Sequence, residues 1–369
     1  MASSCSLLWW GWVSYSWLGN QAVADEGALR FGLVQATVAM FVCALSIPHS
    51  FKLPQDGYIE PWLFSLAYTV VRATHLGVYR IAAHDDPGLI AQLKRSAIPV
   101  GLAQLILLLG AFVAPEWQIW LWLLALIVDY AGIWAAGAEG WRIPSPKHFA
   151  ERYGLIIIVA LGESIVATGV GIGAYDLTIA VVIGALFALQ ITICLWWLYF
   201  DVIAIFAERL LAKLQGPDRA RLGRDSYSYL HFPMIVGIVV LAIGFKKTMG
   251  YIADHHPDHG PWGPLSITAI VTLCLGPAMY LIAHLAFRYR NIGTINKPRA
   301  LASVILLAMI PLGLSMPAIV ALGLVALLFS LLVLFEVKHY AEARHRIRHE
   351  GHGNAQPAPP DEVTVGELL

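Results

Sequence analysis

Ionisable side chains interrupt several long apolar runs of this sequence, and they are the residues that could do chemistry. Glu163 follows Glu151 by twelve residues, which is about 18 Å along a helix. This spacing places Glu163 near the middle of an apolar helix, where charged groups are costly and are often functional. The sequence therefore predicts Glu163 as a buried proton-binding residue near the bilayer midplane. The alternative is a Glu163 that bonds permanently to a neighbouring helix.

Arg72 and His75 are three residues apart in another apolar run, so they share one face of a helix. Arginine does not lose its proton in proteins, and Arg72 therefore needs an anionic partner. The candidates are Asp129, Asp201 and Glu163. These residues predict a proton or solute path, and a structural salt bridge inside the helix bundle is the alternative.

His148, Glu151 and Arg152 lie at i, i+3 and i+4, so they share the opening turn of a helix. They predict either a cytoplasmic gate or a capped and paired helix start, because a glutamate suits the positive end of a helix.

His231 and His284 are a possible proton relay, since imidazole titrates near neutrality. The alternative is that each is a hydrogen-bonded packing residue.

A histidine-rich stretch, DHHPDHG, contains His255, His256 and His259. Such a set could bind zinc, nickel or copper, but its proline and glycine indicate no preformed geometry, so a polar loop is favoured. The sequence therefore predicts no metal site and no cofactor. It also contains no GxxxxGKS/T, HExxH or GxSxG motif, and we expect no catalytic residues and no enzyme.

The composition excludes an ordinary soluble domain. Hydrophobic residues make up 58% of the chain and charged residues 13%, whereas a soluble domain carries about 25% charged residues. A chain this apolar would expose large apolar patches in water, so the bilayer is the solvent that fits. The formal net charge is zero, which gives no indication of nucleic-acid binding.

Apolar runs of roughly 20 residues are the sequence signature of membrane-spanning helices. Eleven such runs occur, and their connections are short. The sequence thus predicts an all-α, polytopic integral membrane protein with about eleven transmembrane helices. The runs cover residues 5–18, 28–48, 59–81, 96–114, 117–137, 149–172, 178–206, 227–247, 264–287, 299–314 and 317–337.

The basic residues predict the orientation. Loops on one side of the membrane carry twenty lysines and arginines, and loops on the other side carry three. The positive-inside rule makes the basic side cytoplasmic, which predicts a cytoplasmic C-terminus and a place in the cell membrane. The tail, residues 338–369, is predicted as a basic and histidine-rich helix on anionic lipid, followed by a disordered end.

Short segments recur in the same order along the chain. The segment that starts at Trp9 resembles the one at Trp196, and the surroundings of His75 resemble those of His284. This shared order predicts an internal duplication, although each match alone is weak.

The helix pair 95–129 also resembles the pair 299–336. The predicted architecture is therefore two six-helix repeats in the same orientation, over residues 1–138 and 148–337. The first repeat shows only five helices, so we expect that its leading helix is missing.

Three segments resemble the bacterial low-temperature-requirement A family, LtrA. They are HFAERYGLIIIVALGESIVATG (148–169), LWWLYFD (195–201) and SYSYLHFPMIVGIV (226–239), and the resemblance extends over residues 9–336. It implies an integral membrane protein linked to growth in the cold. Members usually begin with a helix that carries an ELFFDLVFVFAI-like motif, which this sequence lacks, so we expect a late start codon or a truncated gene.

Three functional hypotheses follow. The leading one is a proton-linked permease or channel-like protein for an unknown small solute. The second is a structural or regulatory membrane protein in cold adaptation, and the third is a membrane enzyme that modifies a lipid. The expected partners are the bilayer, anionic lipid and a solute or proton, with a possible homo-oligomer and no nucleic acid.

Overall fold

A computed structural model describes residues 2–21, 27–48, 50, 60–254 and 260–341. Within these ranges the chain is helical, and the only strand-like pairing is one antiparallel bridge between Pro264 and Pro317. A π-helical turn, Gly223–Tyr229, precedes α10. The α-helices are α1 Ala2–Gln21, α2 Gly27–Ser46, α3 Glu60–Ala82, α4 Pro87–Gly110, α5 Pro115–Ala135, α6 Pro146–Ile172, α7 Ile179–Phe200, α8 Ile203–Lys213, α9 Gly216–Leu222, α10 His231–Ala253, α11 Ile267–Ile292, α12 Lys297–Gly313 and α13 Ala318–His339.

Eight helical segments in the described ranges are long and apolar enough to cross a membrane. They coincide with eight of the eleven predicted apolar runs, which confirms the prediction of an all-α protein with several membrane spans. The other three runs form α1, α3 and α12. Helix α12 has only 17 residues, α3 carries ionisable residues, and α1 is rich in tryptophan, tyrosine and serine. The count of eleven spans stays a prediction.

The chain divides into two compact units, each of which we describe by itself. Unit 1 comprises Met1–Phe149 and Ala212–Arg224, and unit 2 comprises Ala150–Leu211 and Asp225–Leu369. In unit 1, α1 packs against α3 and α5, α2 packs against α3, and α4 packs against α5. In unit 2, α10 packs against α11, α11 against α12, and α7 against α13.

Aromatic side chains fill the core of unit 1. Phe64 and Tyr68 of α3 and Trp122 of α5 have no exposed surface, and the rings of Phe64 and Trp122 stack with centroids 4.8 Å apart. Such contacts favour close packing of helices in lipid, where the hydrophobic effect does not bring helices together. The core therefore connects α3 and α5 through their large side chains.

Glycines bring the backbones of α10 and α11 into direct contact in unit 2. A Cβ atom at Gly237 would lie 2.7 Å from the carbonyl oxygen of Gly276, and one at Gly244 would lie 2.7 Å from the nitrogen of Leu273. A Cβ atom at Gly276 would clash with the nitrogen of Leu241. Small residues let helices approach this closely in membranes, so no larger side chain fits at these positions.

Replacing Gly276 by alanine should push α10 and α11 apart and destabilise the protein by about 1–3 kcal/mol. Gly162→Ala is the matched control, because a Cβ atom at Gly162 of α6 meets no atom within 4 Å. That variant should be neutral or slightly stabilising, since alanine is the better helix former. Thermal unfolding of the purified variants in detergent measures both effects. Equal melting temperatures for the two variants would contradict the packing described above.

Side chains cap several helices at their N-termini, and Asp86 illustrates this at α4. Its carboxylate accepts a hydrogen bond from the backbone N–H of Leu89 at 3.1 Å and another from the Arg142 guanidinium at 3.0 Å. These donors hold the pKa of Asp86 below its ordinary value, the Leu89 N–H having the larger effect. An N-cap satisfies backbone donors that the first helical turn leaves unpaired.

The lowered pKa of Asp86 predicts a pH dependence of stability. The ionised carboxylate stabilises the folded chain above the ordinary aspartate pKa of about 3.9, and this contribution is lost as the pH falls through the folded-state value. The variant Asp86→Asn keeps a capping side chain but has no carboxylate to protonate. Its stability should therefore fall less than that of wild type between about pH 5 and 2. Melting temperatures across that range measure it, with Asp176→Asn in an exposed loop as the control. Identical pH profiles of wild type and Asp86→Asn would refute the assignment.

Candidate functional site

A buried ion pair joins α3 and α5 in unit 1. Nη2 of Arg72 lies 2.9 Å from Oδ1 of Asp129, and the two side chains are 2% and 1% exposed. Arg72 also donates a hydrogen bond from Nη1 to the hydroxyl of Ser14 on α1. Of the three anionic partners that the sequence allowed for Arg72, the structure thus selects Asp129. Together with Ser14, the pair links three helices of the unit.

His75 lies one turn after Arg72 on the same buried face of α3, as the i, i+3 spacing predicts. Its ring packs edge-on against Tyr15, at 5.5 Å between centroids, and against Tyr79, at 5.3 Å. Neither ring nitrogen of His75 makes a hydrogen bond of normal length and angle in the part of the chain that the structure describes, and the nearest polar group is the backbone of Ser14.

A second buried ion pair joins α12 and α13 in unit 2. Arg299 donates from Nε and Nη2 to the two carboxylate oxygens of Glu336, at 2.7 and 2.6 Å. This is the bidentate geometry that makes arginine–carboxylate pairs strong. Asn296, which caps α12, donates a further hydrogen bond of 3.0 Å to Glu336. Both charges are therefore compensated inside the unit.

The same guanidinium also contacts His284 of α11. Nη1 of Arg299 lies 2.8 Å from Nδ1 of His284 and donates as well to the carbonyl oxygen of Leu198. A guanidinium only donates hydrogen bonds, so a contact of this kind requires a ring nitrogen of His284 that accepts. The arrangement favours a neutral imidazole at His284.

His231, the first residue of α10, is fully buried and bonded at both ring nitrogens. Nε2 lies 2.8 Å from the hydroxyl of Tyr199 on α7, and Nδ1 lies 3.0 Å from the carbonyl oxygen of Ser226. A carbonyl only accepts, so Nδ1 carries the hydrogen and Nε2 accepts from Tyr199. Tyr227 stacks on the ring at 5.2 Å.

A cleft of about 490 Å³ in unit 2 reaches this histidine network. Tyr199 and Tyr227 form part of its wall, so the hydroxyl that bonds His231 belongs to a residue of the cleft surface. The rest of the wall is mostly apolar and contains two carboxylates. Its lining residues are Ala150, Glu151, Gly154, Leu155, Ile158, Tyr199, Phe200, Ala204, Ile205, Glu208 and Tyr227.

Glu163 lies on the exposed side of α6, and the prediction that its side chain is buried was wrong. The next residue, Ser164, faces inward and bonds the hydroxyl of Thr192 on α7 at 3.2 Å. Consecutive residues of a helix point about 100° apart, so packing through Ser164 turns Glu163 away. No hydrogen bond or ion pair joins the Glu163 carboxyl to another residue in the described ranges.

The remaining predicted residues are dispersed. His148, Glu151 and Arg152 lie in the opening turns of α6, with His148 and Glu151 exposed. Asp201 is buried at the C-terminal end of α7. The three histidines of DHHPDHG and the tail beyond residue 341 lie outside the described residues. Among the residues that are described, no group of three or more His, Cys, Asp or Glu side chains could hold a metal ion.

Comparison with known proteins identifies the family. The sequence model of the bacterial low temperature requirement A protein (LtrA) matches residues 3–334. This chain belongs to the LtrA family. It is also 25% identical, over 249 residues, to an uncharacterized protein of Rhizobium meliloti (strain 1021). The match covers 64% of this chain and 58% of that relative, and no solved structure matches.

The Arg299–Glu336 pair of this LtrA chain was not among the predicted site residues. A signal for it exists, because α12 and α13 form a hairpin with a short connection. Arg299 lies near the start of the first helix and Glu336 near the end of the second, so both belong at one depth. No feature of the sequence predicts the hydrogen bond between Tyr199 and His231. A single tyrosine in an apolar run is usually a core residue.

The ion pair of unit 1 can be tested by removing one charge or both. Asp129→Ala should destabilise this LtrA chain by about 3–5 kcal/mol, because it leaves Arg72 charged and buried without its partner. The double variant Arg72→Met with Asp129→Leu should recover most of that loss. Melting temperatures in detergent report both, with Glu139→Ala as the control because Glu139 pairs with Arg221 at the surface. A double variant as unstable as Asp129→Ala would contradict this explanation.

Proposed function

We propose that this LtrA chain is a proton-linked permease or channel-like protein that moves a small solute, or protons alone, across the cell membrane. The observation that carries the proposal is the bond between Tyr199 and His231. It connects the surface of a cleft with a buried titratable group in a segment apolar enough to span a membrane. Charged and titratable groups at such depth are functional candidates by default.

The proton relay follows from the hydrogen-bond directions. Nε2 of His231 accepts from Tyr199 while Nδ1 donates to a backbone carbonyl. A proton that arrives at the Tyr199 oxygen from the cleft can pass to Nε2 as the phenol gives up its own hydrogen. His231 then becomes a cation, and its charge changes the preference of the cleft for a charged solute.

The carboxylates of Glu151 and Glu208 favour a solute with positive or hydrogen-bond-donating groups, since both line the cleft. The proposal assigns no catalytic step to the chain, because the sequence contains none of the hydrolase motifs considered above. His284 lies beside the relay, with its ring centroid 6.5 Å from that of Tyr199, and its contact with Arg299 favours a neutral imidazole at His284.

We also propose the repeated architecture with eleven spans. Two observations support it: α3, α4 and α5 follow one another in contact as α11, α12 and α13 do, and each set carries one buried histidine and one buried carboxylate. His75 and His284 lie on the first helix of each set, and Asp129 and Glu336 on the third.

The basic loops support a cytoplasmic C-terminus whose tail contacts anionic lipid. A homo-oligomer would shield Glu163 from lipid.

A liposome assay tests the transport proposal. Liposomes that contain the purified chain should dissipate an imposed pH gradient faster than empty ones, alone or with one of a panel of amino acids, sugars and amines. Tyr199→Phe and His231→Gln should each slow this flux several-fold, because both break the relay. An entrapped pH-sensitive dye measures the rate.

Tyr280→Phe is the matched control for Tyr199→Phe. Tyr280 is as deeply buried, but its hydroxyl donates to the backbone oxygen of Leu195 and does not bond His231. Its flux should equal that of wild type. No flux above empty liposomes under any condition would refute the proposal, as would equal losses in Tyr199→Phe and Tyr280→Phe.

A structural or regulatory role in the membrane is the second candidate, and the two buried ion pairs favour it. Arg72–Asp129 and Arg299–Glu336 each connect helices of one unit, which a purely architectural role requires. This candidate predicts that variants of Tyr199 and His231 change thermal stability without changing proton flux. The liposome assay therefore separates the two candidates.

A further inference from the structure

Helix α3 carries a continuous stripe of buried polar side chains. Tyr68, Arg72, His75 and Tyr79 follow one another at spacings of four, three and four residues, so they share one face of the helix. All four are buried, with exposures of 0, 2, 6 and 0%. The stripe extends for about 16 Å along the axis and ends three residues before the last residue of α3, Ala82.

Each member of this stripe has at least one polar atom without a hydrogen-bond partner in the described part of the chain. By the criterion of normal bond length and angle, these atoms are the hydroxyls of Tyr68 and Tyr79, Nε of Arg72 and both ring nitrogens of His75. The backbone of Ser14 lies near His75 and the side chain of Gln21 near Tyr79, outside that geometry. A buried donor or acceptor that stays unpaired costs about 1–3 kcal/mol, and native proteins pair nearly all of them. Four neighbouring residues of one helix face therefore carry unsatisfied hydrogen-bond donors or acceptors.

One buried tyrosine and one buried histidine of unit 2 have partners for all their polar side-chain atoms. The hydroxyl of Tyr280 donates to a backbone oxygen at 3.0 Å. His231 is bonded at both ring nitrogens, to Tyr199 and Ser226. Burial of tyrosine and histidine in this chain thus does not by itself leave them unpaired.

We propose that ordered water molecules bind along this face of α3 and connect the Arg72–Asp129 pair with the end of the helix near Ala82. Water both donates and accepts, so it fits a phenol, a guanidinium N–H and an imidazole that presents one donor and one acceptor. A buried water typically makes two to four such bonds, about three on average. The ligand is water and not an ion for an electrostatic reason. Asp129 already neutralises Arg72, and Arg72 repels a cation.

The inference goes beyond the proposed transport site and does not depend on it. The cleft, Tyr199 and His231 belong to unit 2, whereas the stripe belongs to unit 1. Waters on this face would give the buried pair of unit 1 a hydrated path of about half the hydrocarbon thickness of a bilayer, which is about 30 Å. His75 would be the titratable group on that path.

Radiolytic hydroxyl-radical footprinting of the full-length chain in nanodiscs tests the proposal. X-ray pulses make radicals from bound water as well as from bulk water, and mass spectrometry locates the oxidised side chains. His75 should be oxidised several-fold faster than His231, and Tyr79 several-fold faster than Tyr280. A bulk radical scavenger should leave this difference in place, because radicals formed at bound waters react with the adjacent side chains.

Equal rates within either matched pair, His75 with His231 or Tyr79 with Tyr280, would overturn the proposal. So would a difference that the scavenger abolishes, because bulk solvent would then be its source. Neither outcome bears on the liposome assay, which reports the relay of unit 2. Failure of the hydrated stripe and failure of the transport proposal are therefore distinguishable.

Discussion

The hydrocarbon of a bilayer offers no hydrogen-bond partners, and this constraint governs the whole structure. Backbone groups meet it by forming helices, since every N–H and C=O inside a helix is paired within the same segment. Charged side chains meet it by pairing across helices, as Arg72 does with Asp129 and Arg299 with Glu336. Each pair also ties together helices that apolar contact in lipid would hold only weakly. Burying these charges costs solvation free energy. In return, the pairs specify which helices are connected.

The polar side chains meet the constraint to different degrees. In unit 2 the guanidinium of Arg299, both oxygens of Glu336 and both nitrogens of His231 are bonded to protein atoms. In unit 1 the stripe on α3 keeps polar atoms that protein groups do not pair. Glu163 is a third case, because its carboxyl faces outward from an apolar helix.

Reasoning from the sequence reached the site only in part. The helical period places Arg72 and His75 on one face, and the structure agrees. The choice of Asp129 over Asp201 and Glu163 depends on which helix packs beside α3, and nothing in the local sequence encodes that choice. Glu163 shows the same limit more sharply. Its position along α6 follows from residue counting, but the side of α6 on which it lies depends on Ser164 packing towards Thr192.

The sequence by itself determined the class of protein, its family and the positions of most membrane-spanning segments. Apolar run length and family motifs are properties of contiguous residues. They can therefore be recognised without knowing which helices pack together. Only the tertiary structure decided which buried charges pair, that Tyr199 of a cleft wall bonds His231, and that Glu163 faces outward. These features depend on how each helix is rotated about its axis and on which distant segment lies against it. Contacts between residues far apart in the chain set both of these, so no local pattern determines them.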